Sequence, residues 1–260
     1  MVRLDPLDPL AASELKHRDR YDGRIACLVH RGKDVEIVNP AKSDRGGEAA
    51  GTIVLKFPGN AGRAERSGPF ALSAIGDPTG VCVTWNPPGY GDSDGPARLH
   101  GYAEAALSMT VRSINRYGDG ASRVWLCGNS MGCCAAAFVA SRLPAVHQPV
   151  GVILRNPPPL SDVVMSIARR YPGGRWMRSV AESLPPAMNI TEQLATVRCP
   201  IVWCCSGSDR LVPPKLQRSV FDRCPAEVMR IDLPGLAHND VPDPDQQKLI
   251  DRTIASLAGR

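Results

Sequence analysis

No run of about 18 or more apolar residues occurs anywhere in the 260-residue chain, so no transmembrane helix is expected from it. The first twenty residues, MVRLDPLDPLAASELKHRDR, hold no sustained apolar core, and no signal peptide is read there. Among nine cysteines there is no C-x-x-C pair, and the histidine spacing offers no zinc pattern. Repeats, low-complexity tracts and an interdomain linker are missing as well. The basic residues are scattered, so a formal net charge of +5 lends nucleic-acid binding little support. Together these absences point to a cytoplasmic protein with no stable membrane anchor, its cysteines kept as buried reduced thiols.

What the chain does contain is an alternation of strand-like and helix-like segments. Its length suits one α/β domain over residues 1–260. Ile25–Val29 and Val35–Val38, separated by Arg31-Gly32-Lys33, read as an opening antiparallel hairpin. Short apolar runs follow at Thr52–Phe57, Val81–Trp85, Val124–Cys127, Gly151–Leu154, Ile201–Cys205 and Val228–Leu233. Runs without polar alternation suit strands buried on both faces of a parallel sheet. Between them, Ala103, Leu107, Val111 and Ile114 draw one apolar helical stripe, as do Ile250, Ile254 and Leu257 near the C-terminus. The expected architecture is a doubly wound, mostly parallel α/β sheet with an N-terminal antiparallel hairpin. The interval before Ile201 exceeds what a simple crossover needs. Residues 157–196 are therefore read as a small cap inserted over the C-terminal edge of the sheet.

Chemistry enters at Gly128-Asn129-Ser130-Met131-Gly132, a G-x-S-x-G that follows a strand-like run and opens a helix-like one. A serine on so tight a turn is pushed out of the sheet, and the glycines let the backbone make it. A serine hydroxyl is a weak nucleophile unless a base takes its proton and a third group orients that base. His17, His30, His100 and His147 read as surface or packing residues. His238 alone lies in a loop between the last strand and the last helix, where functional groups converge in such sheets. Asp209, just after the strand Ile201–Cys205, is the acid candidate. Asp232 falls within a strand, and Asp240 is too near His238 in sequence to reach its ring easily. The turn Gly59-Asn60-Ala61-Gly62 follows the strand Thr52–Phe57. Its Asn60 N–H, with that of Met131, is expected to stabilise an oxyanion.

Five segments then resemble one family in order along the chain. Phe57-Pro58-Gly59-Asn60-Ala61-Gly62 is similar to an H-G-N-A-G oxyanion loop, and Trp85 to Gly95 to a Y-x-G-Y-G-x-S-x-G turn. Gly128 to Gly132 is the elbow, Asp209 to Pro213 resembles D-x-x-V-P, and His238-Asn239-Asp240 resembles H-N-D. The chain thus resembles the α/β-hydrolase superfamily, in the branch of abhydrolase-domain proteins that includes eukaryotic protein depalmitoylases and their bacterial relatives. Two departures stand out. Pro58 replaces the usual histidine, which alters support of the loop more than its chemistry. The N-terminal segment lacks the cysteine cluster that anchors the eukaryotic depalmitoylases, so membrane residence and a lipidated-protein substrate do not carry over.

The expected function is hydrolysis of a carboxylic ester or thioester through Ser130, Asp209 and His238, with no metal or cofactor required. A peptidase or amidase using the same residues is the enzymatic rival, and a silent binding protein of the same fold is the other. Met165, Trp176 and Met177 are expected to line an acyl pocket in the cap, the alternative being that they pack the cap onto the sheet. Arg169, Arg170, Arg175 and Arg178 also cluster there. They read either as a solvated face or as a group that steers a small anionic substrate. Oligomeric state is open.

Overall fold

A computed structural model describes residues 2–4, 25–31, 49–172 and 174–260. Eight strands form one sheet among these residues: β1 (Val2–Leu4), β2 (Ile25–Arg31), β3 (Thr52–Phe57), β4 (Val81–Trp85), β5 (Arg123–Asn129), β6 (Gly151–Arg155), β7 (Ile201–Ser206) and β8 (Val228–Leu233). Their spatial order is β1-β2-β4-β3-β5-β6-β7-β8. Strands β3 to β8 are parallel, whereas β2 runs antiparallel to both β1 and β4. The sheet is mostly parallel with an antiparallel start, as the apolar runs imply. The expected hairpin partner Val35–Val38 lies outside the described residues. Antiparallel pairing is seen instead between Cys27 and Trp85 and between Val2 and Cys27.

Side chains alternate across the strands and divide the interior in two. Ile53, Leu55 and Phe57 of β3 point to one face, where the helices Tyr102–Tyr117 and Met131–Arg142 cover them. Val54 points to the other face with Trp125, Ile153, Val202 and Ile231, under the helix Pro244–Ala258. The helix Met131–Arg142 is small-sided at its start (Gly132-Cys133-Cys134-Ala135-Ala136-Ala137), so its backbone can lie close to the sheet. All nine cysteines are unpaired, and seven are buried. Burial raises their thiols, Cys127 to about 11 and Cys204 to about 12.

Order along the sheet decides where the site forms. From β3 the chain moves out to β4, then returns past β3 to β5 and continues the other way to β6. Neighbouring strands β3 and β5 therefore send their following loops in opposite directions, which opens a crevice at their C-terminal ends. Ser130 and the 59–62 turn both sit at this crevice. The interval read as a cap holds a helix at Leu160–Ala168, a short one at Arg178–Glu182 and another at Ile190–Leu194. Its last part is core: Met188, Ile190 and Leu194 are buried with the helix Met131–Arg142. No described helix is long and apolar enough to cross a membrane.

Candidate active site

Ser130 occupies a backbone conformation that L-residues rarely adopt, φ 50° and ψ −124°. Packing around the two flanking glycines shows why the turn must be so tight. A Cβ on Gly128 would lie 2.6 Å from Cys133 Cα, and one on Gly132 would lie 2.0 Å from the Phe57 carbonyl oxygen. Only glycine fits at either place. The Ser130 N–H donates to the Arg155 carbonyl at 2.8 Å, and its own carbonyl accepts from Cys133 N at 2.8 Å. The serine is thereby held between β6 and the first turn of a twelve-residue helix.

Two further loops bring partners to it. Ser130 Oγ is 2.9 Å from His238 Nε2, and His238 Nδ1 is 2.6 Å from Asp209 Oδ2. An ionised carboxylate only accepts hydrogen bonds, so Nδ1 carries the proton and Nε2 is left to accept from the serine hydroxyl. The other oxygen of Asp209 accepts from Leu211 N at 2.9 Å and Val212 N at 2.8 Å, which fixes the carboxylate's orientation. Its side chain is fully buried, and that of His238 is one-tenth exposed. The remaining acids have other work. Asp240 Oδ2 accepts from Ala237 N at 2.8 Å and closes the turn that carries His238. Asp232 pairs with Arg230. Of the other described histidines, His30 is buried in β2 and bonded to the Ser67 carbonyl, His100 is exposed, and His147 is half-buried at the end of a short turn of helix, Ala145–His147. His17 lies outside the described residues.

Across the crevice, Gly62 N donates to Gly59 O at 2.9 Å, forming a tight turn with Ala61 at φ 58°. This turn rests on the serine: a Cβ at Gly59 would meet Ser130 Cβ at 3.2 Å. Among the described residues neither the Asn60 N–H nor the Met131 N–H has an acceptor. Met131 also opens its helix, where the dipole favours negative charge. The Trp85–Gly95 segment supports the turn from behind. Asn86, fully buried, accepts from Ala64 N at 2.8 Å and donates to Glu65 at 2.9 Å, and Tyr90 Oη reaches Asn60 Oδ1 at 3.3 Å. Pro58 contributes its carbonyl, which accepts from Tyr102 Oη at 3.4 Å.

Two residues at the end of β6 were not among the sequence candidates. Asn156 is fully buried with φ 52°, a conformation asparagine tolerates. Its Oδ1 accepts from Ser206 N at 3.0 Å, and its Nδ2 donates to the His238 carbonyl at 3.3 Å, joining the acid's strand to the base's loop. Arg155 donates to the Asp240 carbonyl, and its buried Nε has no partner among the described residues. Burial holds the Arg155 guanidinium below its ordinary value, opposed by Cys204, Asp209 and Asp240. The signal for both was position, since each follows a buried parallel strand at the edge where ligands bind.

A cavity of about 620 Å³ opens beside Ser130 and His238. Met165, Trp176 and Met177 do not line it, contrary to their expected place in an acyl pocket. Trp176 and Met177 are 74% and 41% exposed. The cavity is lined instead by residues 56–63, Arg66, Ser67 and Phe70 together with the ends of the strands around Ser130. Among the described residues no cluster of His, Cys, Asp and Glu could hold a metal ion.

Comparison with known proteins agrees with this layout. The uncharacterized protein Rv2307c of Mycobacterium tuberculosis H37Rv is 26% identical over 196 residues, covering 74% of this chain and 64% of that protein. The chain thus spans a little under two thirds of the curated relatives it matches. Est1E from Butyrivibrio proteoclasticus, solved with ferulic acid, superposes with a TM-score of 0.63 at 13% identity over 90% of this chain and 94% of that one. An acetyl xylan esterase from Paenibacillus sp. R4 gives 0.68 at 13% identity over 90% and 80%. Mouse alpha/beta hydrolase domain-containing protein 10 gives 0.61 at 16% over 91% and 94%. Identities this low establish a shared fold and no more. The alpha/beta hydrolase family model, however, matches residues 58–252, from the turn facing Ser130 to the last helix. On that match, well over half its length, the chain belongs to the alpha/beta hydrolase family.

Proposed function

We propose that this protein is a serine hydrolase that cleaves a carboxylic ester or thioester through an acyl-enzyme. The observation that carries the reading is the continuous relay from Ser130 Oγ through His238 to Asp209, at 2.9 and 2.6 Å. In this reading His238 Nε2 takes the hydroxyl proton as Ser130 Oγ attacks the acyl carbon. Negative charge then builds on the former carbonyl oxygen, within reach of the two unengaged amides of Asn60 and Met131. Asp209 stabilises the imidazolium and keeps the proton on Nδ1. His238 next gives its proton to the departing alcohol or thiol, and the carbonyl reforms as an ester to Ser130. Water, deprotonated by the same imidazole, releases the acid and restores the serine.

Ester substrates are favoured over amides by analogy with the fold neighbours named as esterases, and fold analogy is a weaker warrant than the relay. The test is a fluorophosphonate probe together with p-nitrophenyl acetate. Wild type should be labelled and turn over the ester. Ser130→Ala should do neither while keeping its melting temperature, because removing such a nucleophile costs several orders of magnitude in rate. Near wild-type turnover in a folded Ser130→Ala would refute the assignment, and an unlabelled wild type would favour the silent binding protein.

A further inference from the structure

The cavity beside Ser130 has a one-sided charge. Lys56, Arg63, Arg66 and Arg155 line it, and among the described residues no Asp or Glu does. The whole chain carries 31 basic and 26 acidic residues, so overall composition does not account for a four-to-none lining. Three of these cations also lack local compensation. Lys56 Nζ donates to the neutral Gly68 carbonyl at 2.6 Å and lies 5.8 Å from the Phe70 ring centroid. Arg63 and Arg66 have no ion pair among the described residues, although their side chains are free to seek one. Arg155 shares its field with Asp209 but keeps a buried Nε without an acceptor. A structural role for such a group would pair it with carboxylates, because gathered like charges repel.

The lining also extends away from the nucleophile. Lys56 is paired in register with Cys127, three residues before Ser130 on β5, or about 10 Å along a strand. Thr84 and Ser67 add hydroxyls at that deeper end, whereas Ile153 and Ile250 provide apolar wall. The arrangement is a slot with its reactive end at Ser130, Lys56 at the end away from it, and Arg63, Arg66 and Arg155 along its lining.

We infer that the substrate is an ester or thioester carrying a fixed negative charge, a carboxylate or phosphate, which Lys56, Arg63 and Arg66 receive while Ser130 attacks the acyl carbon. This rests on the serine hydrolase reading above and narrows its substrate class. It also relocates the cationic group from the cap. Arg169, Arg170 and Arg178 are exposed and do not line the cavity, and Arg170 is engaged with the Arg210 carbonyl at 3.1 Å.

The test uses two matched pairs of esters. Mono-p-nitrophenyl adipate and its methyl-capped form differ by a charge on the acyl side. 4-Carboxyphenyl acetate and its methyl ester differ by a charge on the leaving side. The readout is the ratio of kcat/KM for the charged member to that for the neutral one, compared between wild type and variants so that intrinsic reactivity cancels. In the Arg63→Gln/Arg66→Gln double variant the ratio should fall about ten-fold or more for one pair, the worth of one charge-assisted hydrogen bond. The pair that responds identifies the side that bears the charge. Rising salt should lower the wild-type ratio for the same pair. Both arginines are exposed, so the variant should fold; Lys56→Met, checked by melting temperature, provides a second measure of the same ratio. Arg169→Gln/Arg178→Gln should leave the ratio where it was. A ratio unmoved in both cavity variants for both pairs would overturn the inference while the esterase reading stood. A ratio that falls only in the cap variant would return the anion to the cap. Failure of wild type to turn over any of the four esters would instead bring down the hydrolase reading itself.

Discussion

Asp209→Asn separates what the acid does for chemistry from what it does for folding. Leu211 N and Val212 N both donate to Oδ1 at 2.9 and 2.8 Å, so in the variant the amide oxygen should stay at that position to keep accepting them. That choice sends the NH2 group toward His238 Nδ1, now occupied by a donor 2.6 Å from where the carboxylate oxygen was. Two donors cannot face each other, so the imidazole should shift its proton to Nε2, the atom 2.9 Å from Ser130 Oγ. A protonated Nε2 has no lone pair for the hydroxyl proton. In another protein's triad, the corresponding change lowers kcat about 10⁴-fold, which is about 5 kcal/mol of transition-state stabilisation. The same order of loss is expected here, with little change in melting temperature. Asp209→Ala provides the contrast. It strands the buried Val212 N–H and should cost a further 1–3 kcal/mol, roughly, in stability. Steady-state kinetics on p-nitrophenyl acetate, denaturant titration and ¹⁵N chemical shifts of the His238 ring read the three parts separately. A folded Asp209→Asn enzyme within about ten-fold of wild type would refute the relay, whatever its tautomer.

Gly132→Ala should lower stability by about 2 kcal/mol and depress turnover: the new Cβ meets the Phe57 carbonyl at 2.0 Å, and overpacking of about 1–3 kcal/mol outweighs the helix-propensity gain. Gly120→Ala, with nothing within 4 Å, should leave the melting temperature alone. Asn156→Ala should reduce kcat more than it raises KM, because it releases the His238 carbonyl and leaves Ser206 N without an acceptor; equal loss in both parameters would reduce Asn156 to a packing role. Buried thiols should resist iodoacetamide at pH 8 until the protein unfolds. Because burial raises Cys127 to about 11 and Cys134 to about 12 from an ordinary 9.0, their contribution is complete below pH 9 and fades as pH climbs toward those values. Melting temperature should therefore decline above pH 9, and a flat profile to pH 11 would contradict the sign.

Much of the sheet is legible as one-dimensional pattern. Thr52–Phe57 and Val81–Trp85 coincide with β3 and β4 because strands buried on both faces show themselves as unbroken apolar runs. The order of those strands is not carried by any run. That β3 sits between β4 and β5 follows from pairing registers such as Val54 with Cys82 and Val54 with Trp125, contacts between residues far apart in the chain. The cap suffers from the same limit. Residues 157–196 read as a cap, yet within that stretch Ile190 and Leu194 are fully buried in the core with the helix Met131–Arg142. Apolar content alone does not say which apolar surface a helix will meet.

At the site, legibility follows chemistry. Ser130, Asp209 and His238 are readable because each is a reactive residue type in a loop that follows a strand, and the structure brings the three together. Asn156 and Arg155 occupy equally telling positions, but an amide and a guanidinium are common edge residues with many bland uses. Only the bonds from Asn156 to Ser206 and His238 distinguish a strut from a loop cap. The cationic slot is harder still. Lys56, Arg63 and Arg66 are unremarkable among 31 basic residues until folding places them in the lining of one cavity, with no carboxylate beside them in that lining among the described residues. The arginines of the cap form a denser cluster in sequence, yet at least Arg169, Arg170 and Arg178 end on solvent. Density of charge along the sequence therefore does not tell which cations face the cavity in this chain; only the fold does.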